Sequence, residues 1–322
     1  MKRLNTFVLS SVTSSLLIMP SIAYAAKSAG DVDITADPKN KKNVVVPFVF
    51  GTESIGASIG AGALFRGVGQ EQASLLGAAF ISTKHSYMYY FSANNYQLSH
   101  SWMLNGDGYQ ARFVDYDYYT GEATDNSSNE NDSVEADGFE ARYRLQLRYV
   151  LPLGAAEFKG AEAYYNPIRP YQGHLPWESG VTSLNFIPFY QERDLSGVKN
   201  TDLDTTWGAK VELEWDNRDD KRNPTQGSYS LATYTYAPDQ GDQESWSTVE
   251  LQNSHYWDLG AWDGIFDSQV FAFDFYTGIS PNAGECDDGT CHQAPEYAGL
   301  RLGGLYHLRS YGSTRYTGNA AI

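Results

Sequence analysis

The 322-residue chain carries 39 Asp and Glu against 23 Lys and Arg, a net charge of −16 that argues against a nucleic-acid partner, whose phosphates it would repel. Its 24 Tyr, 15 Phe, 7 Trp and 30 Gly beside only 2 Cys suit a large all-β protein. Beyond the N-terminal leader no apolar run reaches the roughly 18 residues that a spanning helix needs, so a helical membrane protein is excluded.

The leader has three parts. Lys2 and Arg3 precede an apolar run from Phe7 to Ile22, and the small-residue site Ala23-Tyr24-Ala25 follows. This is the layout of a secretory signal peptide over residues 1–25, with cleavage after Ala25. Ala26 offers no thiol for a lipid anchor. Residues 26–43, with Lys39, Lys41, Lys42 and Pro38, read as a polar periplasmic tether.

From Val44 onward, period-two alternation recurs in segments of about 9 to 12 residues, the length a tilted strand needs to cross a bilayer. Eleven strands are predicted, at about 44–52, 56–66, 73–83, 86–97, 109–119, 138–152, 156–166, 204–216, 228–237, 246–257 and 267–278. The clearest runs from Phe139 to Leu151. Phe139, Ala141, Tyr143, Leu145, Leu147, Tyr149 and Leu151 share one face, and Glu140, Arg142, Arg144, Gln146 and Arg148 share the other. A soluble sandwich and a membrane barrel both produce such a strand, one turning its apolar face to a core and the other to lipid. The signal peptide and the 204–216 segment favour the barrel. In that segment Trp207, Ala209, Val211, Leu213 and Trp215 alternate with Gly208, Lys210, Glu212, Glu214 and Asp216, which sets a tryptophan at each end of the apolar face, as in interfacial aromatic girdles.

The connections are expected to alternate in length. Arg66–Gly69, Asn105–Gly108 and Leu259–Gly264 read as short turns. Gly121–Asp137, Ile168–Leu203, Pro238–Ser245 and everything after Ser280 read as long loops, with the short set in the periplasm. Within the second long loop, Val181–Arg193 also reads as a strand that extends beyond the membrane. Eleven strands cannot close the usual even-numbered barrel, and an open edge in lipid leaves unpaired backbone groups. The chain therefore reads as truncated before its last strands, with 16 strands expected when complete. Cys286 and Cys291, five residues apart in a polar run, suit a loop-closing disulfide in an oxidising compartment. With His292 they fall short of a closed metal set.

Two segments go beyond barrel grammar. Asp216-Asn217-Arg218-Asp219-Asp220-Lys221-Arg222-Asn223-Pro224-Thr225-Gln226-Gly227 fits a D-x-R-D-x(4)-P-x(2)-G turn. There Pro224 sets φ, Gly227 admits a tight exit and Arg218 can pair with Asp216 or Asp219. The second runs from Leu300 to Asn319, with Gly303-Gly304, then Leu308-Arg309-Ser310-Tyr311, then Arg315. The two resemble the periplasmic turn and the sixth extracellular loop of the BamA/TamA family of outer-membrane assembly and translocation barrels. Ser310 departs from that loop, where the family usually has glycine. Phe50-Gly51-Thr52-Glu53-Ser54 resembles the family's first hairpin. All three fall in the family's order, so the resemblance spans residues 44–322.

The resemblance implies a transmembrane antiparallel β-barrel in the bacterial outer membrane, in contact with lipid and lipopolysaccharide, whose sixth loop folds into the lumen. It implies that Arg309 pairs there with an acidic residue of strands beyond Ile322. Family members that assemble barrels carry periplasmic POTRA domains, for which residues 26–43 are too short, so the chain is expected to resemble the single-domain barrels known as bacterial surface antigens. Three functions follow as expectations. They are insertion or translocation of outer-membrane proteins with a separate periplasmic or outer-membrane protein partner, a plugged structural or surface barrel, and a solute channel lined by Arg142, Arg144, Arg148, Lys210, Glu212 and Glu214. No cofactor is expected. The six histidines, His85, His100, His174, His255, His292 and His307, are scattered, so no catalytic set is expected either.

Overall fold

The alternating segments pair in chain order into one antiparallel sheet. In the computed structural model the described residues are 43–52, 55–120, 129, 132–166, 173–198, 205–241, 244–262, 266–284, 286–287, 290–303 and 316–321. The long strands are β1 (Val44–Thr52), β2 (Gly56–Arg66), β3 (Ser74–Ser82), β4 (Tyr87–Gln97), β5 (Trp102–Tyr118), β6 (Val134–Val150), β7 (Val181–Ser196), β8 (Thr205–Asp216), β9 (Gly227–Ala237), β10 (Trp246–Trp262) and β11 (Phe266–Ile279). Two small ribbons follow, β12 (Cys286–Asp287) with β13 (Thr290–Cys291) and β14 (Leu300–Leu302) with β15 (Tyr316–Gly318). The two-residue β16 (Ala320–Ala321) then pairs with the end of β11. Among the described residues the far edge of β1 and most of that of β11 are unpaired.

The two faces of the sheet reverse the burial order of a water-soluble protein. Val49, Ile59, Ile81, Phe91, Leu145, Phe186, Leu213, Leu251, Phe271 and Phe273 are exposed on the convex side, strand after strand. Ser92, Asn94, Arg148, Asn185, Glu212, Glu214, Thr233, Thr235 and Ser254 are buried on the concave side. An apolar belt this wide is incompatible with water, because burial of such surface is the main force that folds a chain there. In lipid it is the expected outer face of a transmembrane barrel, with the polar side chains enclosed in the lumen.

Several strand bounds differ from those read in the sequence, each for a physical reason. Asn105–Gly108 lies inside β5 and is not a turn. Its glycines face out under neighbouring side chains, and a Cβ at Gly108 would meet the rings of Tyr143 and Phe91 at 2.5 and 2.9 Å. Aromatic rings on adjacent strands thus cover the bare backbone. Residues 156–166 are not a strand but a 3-10 turn (Gly154–Ala156) and a short helix, α1 (Ala161–Tyr165). Gly154 and Gly160 both have φ of 55°, which no strand accommodates, and the alanines of α1 favour helix. The alternative reading of Val181–Arg193 as strand is the one realised, in β7. Its Pro188 coincides with a gap in the β6–β7 ladder, which pairs Arg144 with Phe189 and resumes at Leu147 and Phe186. Proline has no N–H to give at that point.

Nor do the two rims divide by connection length. The rim that holds the 217–226 connection, here the turn rim, also holds the 151–180 connection, the longest on it. The opposite rim begins with connections as short as 83–86. The expected signal peptide, and the expected tether up to residue 42, lie outside the described residues.

Candidate functional site

The lumen wall is built where alternation turns charged residues of β5 to β8 inward. Arg148 on β6 is 2 % exposed, and its Nη1 donates to Glu214 Oε2 on β8 at 2.5 Å and to Ser183 Oγ on β7 at 2.8 Å. Asn185 Nδ2 donates to Glu212 at 3.1 Å and to Glu214 at 3.4 Å. One step up the wall, Arg144 makes a bidentate pair with Asp107 of β5 through Nε and Nη2, at 2.9 to 3.3 Å. Arg142 lies 3.9 Å from the same carboxylate and 5.2 Å over the Tyr109 ring. Higher still, Arg193 Nε lies 3.2 Å from Glu140, and its guanidinium faces the rings of Tyr118 and Tyr297. Pairing of this kind is what a charge needs once a narrow lumen has removed most of its water.

At the turn rim the D-x-R-D segment folds around its own carboxylates. Asp216, fully buried at the end of β8, accepts from Arg218 Nε at 2.9 Å, from Arg218 Nη2 at 3.2 Å and from the Arg218 backbone N–H at 3.2 Å. Of the two partners open to Arg218 in the sequence, Asp216 is therefore the one taken. Burial works against the Arg218 charge, but the Asp216 carboxylate outweighs it and raises the guanidinium above its ordinary value. Asp219 organises the rest of the loop. It accepts from the Thr225 hydroxyl and from the backbone N–H groups of Asp220, Thr225 and Gln226. Burial pushes the Asp219 carboxyl up, yet these donors together hold it below the usual carboxylate range. Pro224 precedes Thr225 in this loop. Gly227 leaves it with φ of 105°, and a Cβ there would sit 2.1 Å from the Asn217 carbonyl oxygen.

The 151–180 connection closes over this arrangement. Tyr164 of α1 is buried between two cations, with the Arg148 guanidinium carbon 3.8 Å and Lys221 Nζ 3.6 Å from its ring centroid. Lys221 Nζ also donates to the Tyr164 carbonyl at 2.7 Å. The connection is tied down on both sides. Ala161 N–H donates to His100 O at 2.8 Å before β5, and Asn217 Nδ2 donates to Gly173 O at 2.8 Å after β8.

From the opposite rim, the chain after β11 turns inward. Tyr297, Ala298 and Leu300 are buried, and Tyr297 and Ala298 pack with Phe189, Ala237 and Trp246 on the wall. Arg301 lies close enough to Tyr109 and Arg142 to act on both electrostatically. Gly303, the first glycine of the Gly303-Gly304 pair, is buried with φ of 108°, a conformation that suits glycine alone. The remaining residues of that motif, Gly304, Leu308, Arg309, Ser310, Tyr311 and Arg315, lie outside the described residues. The backbone sets Cys286 directly opposite Cys291 in the β12–β13 ribbon, the pairing a loop-closing disulfide requires.

Alternation in the sequence finds Arg142, Arg144, Arg148, Glu212 and Glu214. It misses Asp107, Asn185, Tyr164 and Lys221. Asp107 sits in a segment with the composition of a turn, and Asn185 in one with the ambiguity of a loop. Tyr164 and Lys221 meet only through the tertiary path of the 151–180 connection.

Comparison with known proteins bears on this architecture. A search of the curated proteins gives no match. Among solved structures the chain is similar to BamA from Haemophilus ducreyi lacking POTRA domains 1–3, with 16% sequence identity and a TM-score of 0.44. The alignment covers 84% of this chain and 46% of that one, so the chain spans about half the length of the protein it matches. Residues 65–320, from the end of β2 to β16, match the family model described as the Omp85 superfamily domain. A match over that much of the sequence, on a wall of antiparallel strands with an inward-folded segment after β11, identifies the chain as a member of the Omp85 superfamily.

Proposed function

We propose that this outer-membrane barrel aids the insertion or translocation of outer-membrane proteins, together with a separate periplasmic partner, and that it is not an open solute pore. The observation that supports this reading is the segment 294–303, which leaves β11 and packs against the inner wall through Tyr297, Ala298 and Leu300. A solute channel gains nothing from an apolar segment in its path. The Tyr164 closure at the turn rim points the same way. In this reading the turn rim is periplasmic, and the opposite rim faces the lipopolysaccharide leaflet.

Depletion of the protein, followed by quantitative comparison of the outer-membrane protein profile, tests it. A fall of several fold in a subset of barrel or exported proteins, restored by re-expression, is the expected outcome. An unchanged profile would leave a plugged structural or surface barrel, a reading that the Tyr164 contacts at the turn rim also favour.

A further inference from the structure

The 151–180 connection carries an apolar surface that the lumen contacts do not use. Phe158 is 83% exposed and Trp177 is 63% exposed, with Leu175 exposed beside it. Leu175 and Trp177 share one tight turn, closed by the Glu178 and Ser179 N–H groups donating to the Leu175 carbonyl at 2.9 and 3.1 Å. Phe158 stands on a second turn, Glu157–Gly160, whose end meets the β4–β5 turn at His100. Gly154 joins the two turns, since its backbone lies against the carbonyls of Pro176, Ser179 and Gly180.

Both turns are continuous with the lipid-facing belt. Trp215 belongs to the outward-facing set of β8, and its Nε1 donates to the Ser179 carbonyl at 3.1 Å, which fixes the Leu175–Ser179 turn against the belt's lower edge. On the other flank, exposed Leu98 and Trp102 border the His100 turn, and Trp102 packs on Tyr149 at 4.8 Å. From β5 to β8 the stretch of rim is about 15 Å wide, at roughly 4.8 Å per strand. Among the described residues, exposed Glu157 and Lys159 flank Phe158 in the sequence, and exposed Glu178 follows Trp177. A ring that is apolar and a neighbour that must stay wet together match the headgroup depth of a bilayer, where Trp and other amphipathic groups settle. The bilayer core would strand the charges, and bulk water would leave the rings uncovered.

We infer that Phe158, Leu175 and Trp177 form an interfacial foot by which the 151–180 connection rests on the lipid headgroups of the leaflet at the turn rim. The occupant of this surface is lipid, the same partner that covers the belt with which it is continuous.

The test places a bimane label at Trp177→Cys in the full chain carrying Cys286→Ser and Cys291→Ser, reconstituted in phosphatidylethanolamine and phosphatidylglycerol vesicles. Heat-modifiable mobility verifies that the barrel has folded. Phe158→Cys serves as an independent second site, and Asp239→Cys, exposed on the opposite rim, as the aqueous control. The label at 177 should be quenched at least twofold more by lipid with a doxyl group at carbon 5 than by lipid with one at carbon 12. Iodide should quench it severalfold less than the label at 239. Iodide quenching equal to the control at both 177 and 158, without doxyl quenching, overturns the inference. Iodide protection that arises only on addition of a periplasmic protein fraction overturns it in favour of a protein-docking surface.

Discussion

Arg148 is the most deeply buried arginine among the described residues. Its guanidinium is enclosed, bound to Glu214 and Ser183, and capped by the Tyr164 ring. Removing one member of a buried pair strands the other, so Arg148→Ala should destabilise the barrel by about 3–5 kcal/mol. Replacing both charges, as Arg148→Met with Glu214→Leu, should recover part of that loss, and heat-modifiable mobility across a temperature series measures both. Asp219 makes a smaller, pH-dependent contribution. Its folded value is depressed, so its stabilisation is complete above the ordinary carboxylate value near ~3.9 and is lost as pH falls through the lower folded value. Proteolytic nicking of the 217–226 turn should therefore stay level down to about pH 4 and rise as the pH falls further, and Asp219→Asn should show the faster nicking already at pH 5. Because the group is largely solvated, the loss should stay under about 1 kcal/mol. At this scale the sequence was informative about Asp216, Arg218 and Gly227, where local geometry decides the role. It was silent about Tyr164 and Lys221, which are 57 residues apart in the chain.

Among the elements, the strands whose alternation was clean were read to within a few residues, as in β1, β2 and β8. Errors arose where one residue type serves two purposes. Glycine in β5 looks like a turn residue until the Tyr143 and Phe91 rings are seen to cover it. The 151–180 connection offered alternation of a sort, but Gly154 and Gly160, both with φ of 55°, take the backbone out of the sheet. That connection is a closure whose centre is an aromatic ring, since a cation–π contact removed from water contributes about 2 kcal/mol. Tyr164→Ala should accordingly raise conductance in planar bilayers by several fold, whereas Tyr164→Phe, which keeps the ring, should remain as closed as the parent protein. An unchanged Tyr164→Ala trace would assign the seal to the segment after β11 alone.

For the molecule as a whole, the exchange of inside for outside was the feature most open to the sequence, because period two sorts side chains onto faces whatever solvent each face meets. Which face meets lipid was settled only by burial, with Val49 and Phe271 outside and Asn185 and Asp216 within. The path of the connections required the structure, and it has a mechanical consequence. The 151–180 segment grips His100 ahead of β5, Thr182 at the start of β7, and Asn217 and Lys221 past β8. Four consecutive strands are thereby stapled along one end into a single stiff panel. Neighbouring strands cannot be pried apart at that end within the panel, so any parting of the wall has to begin on its flanks, from β4 back to β1 or from β9 onward.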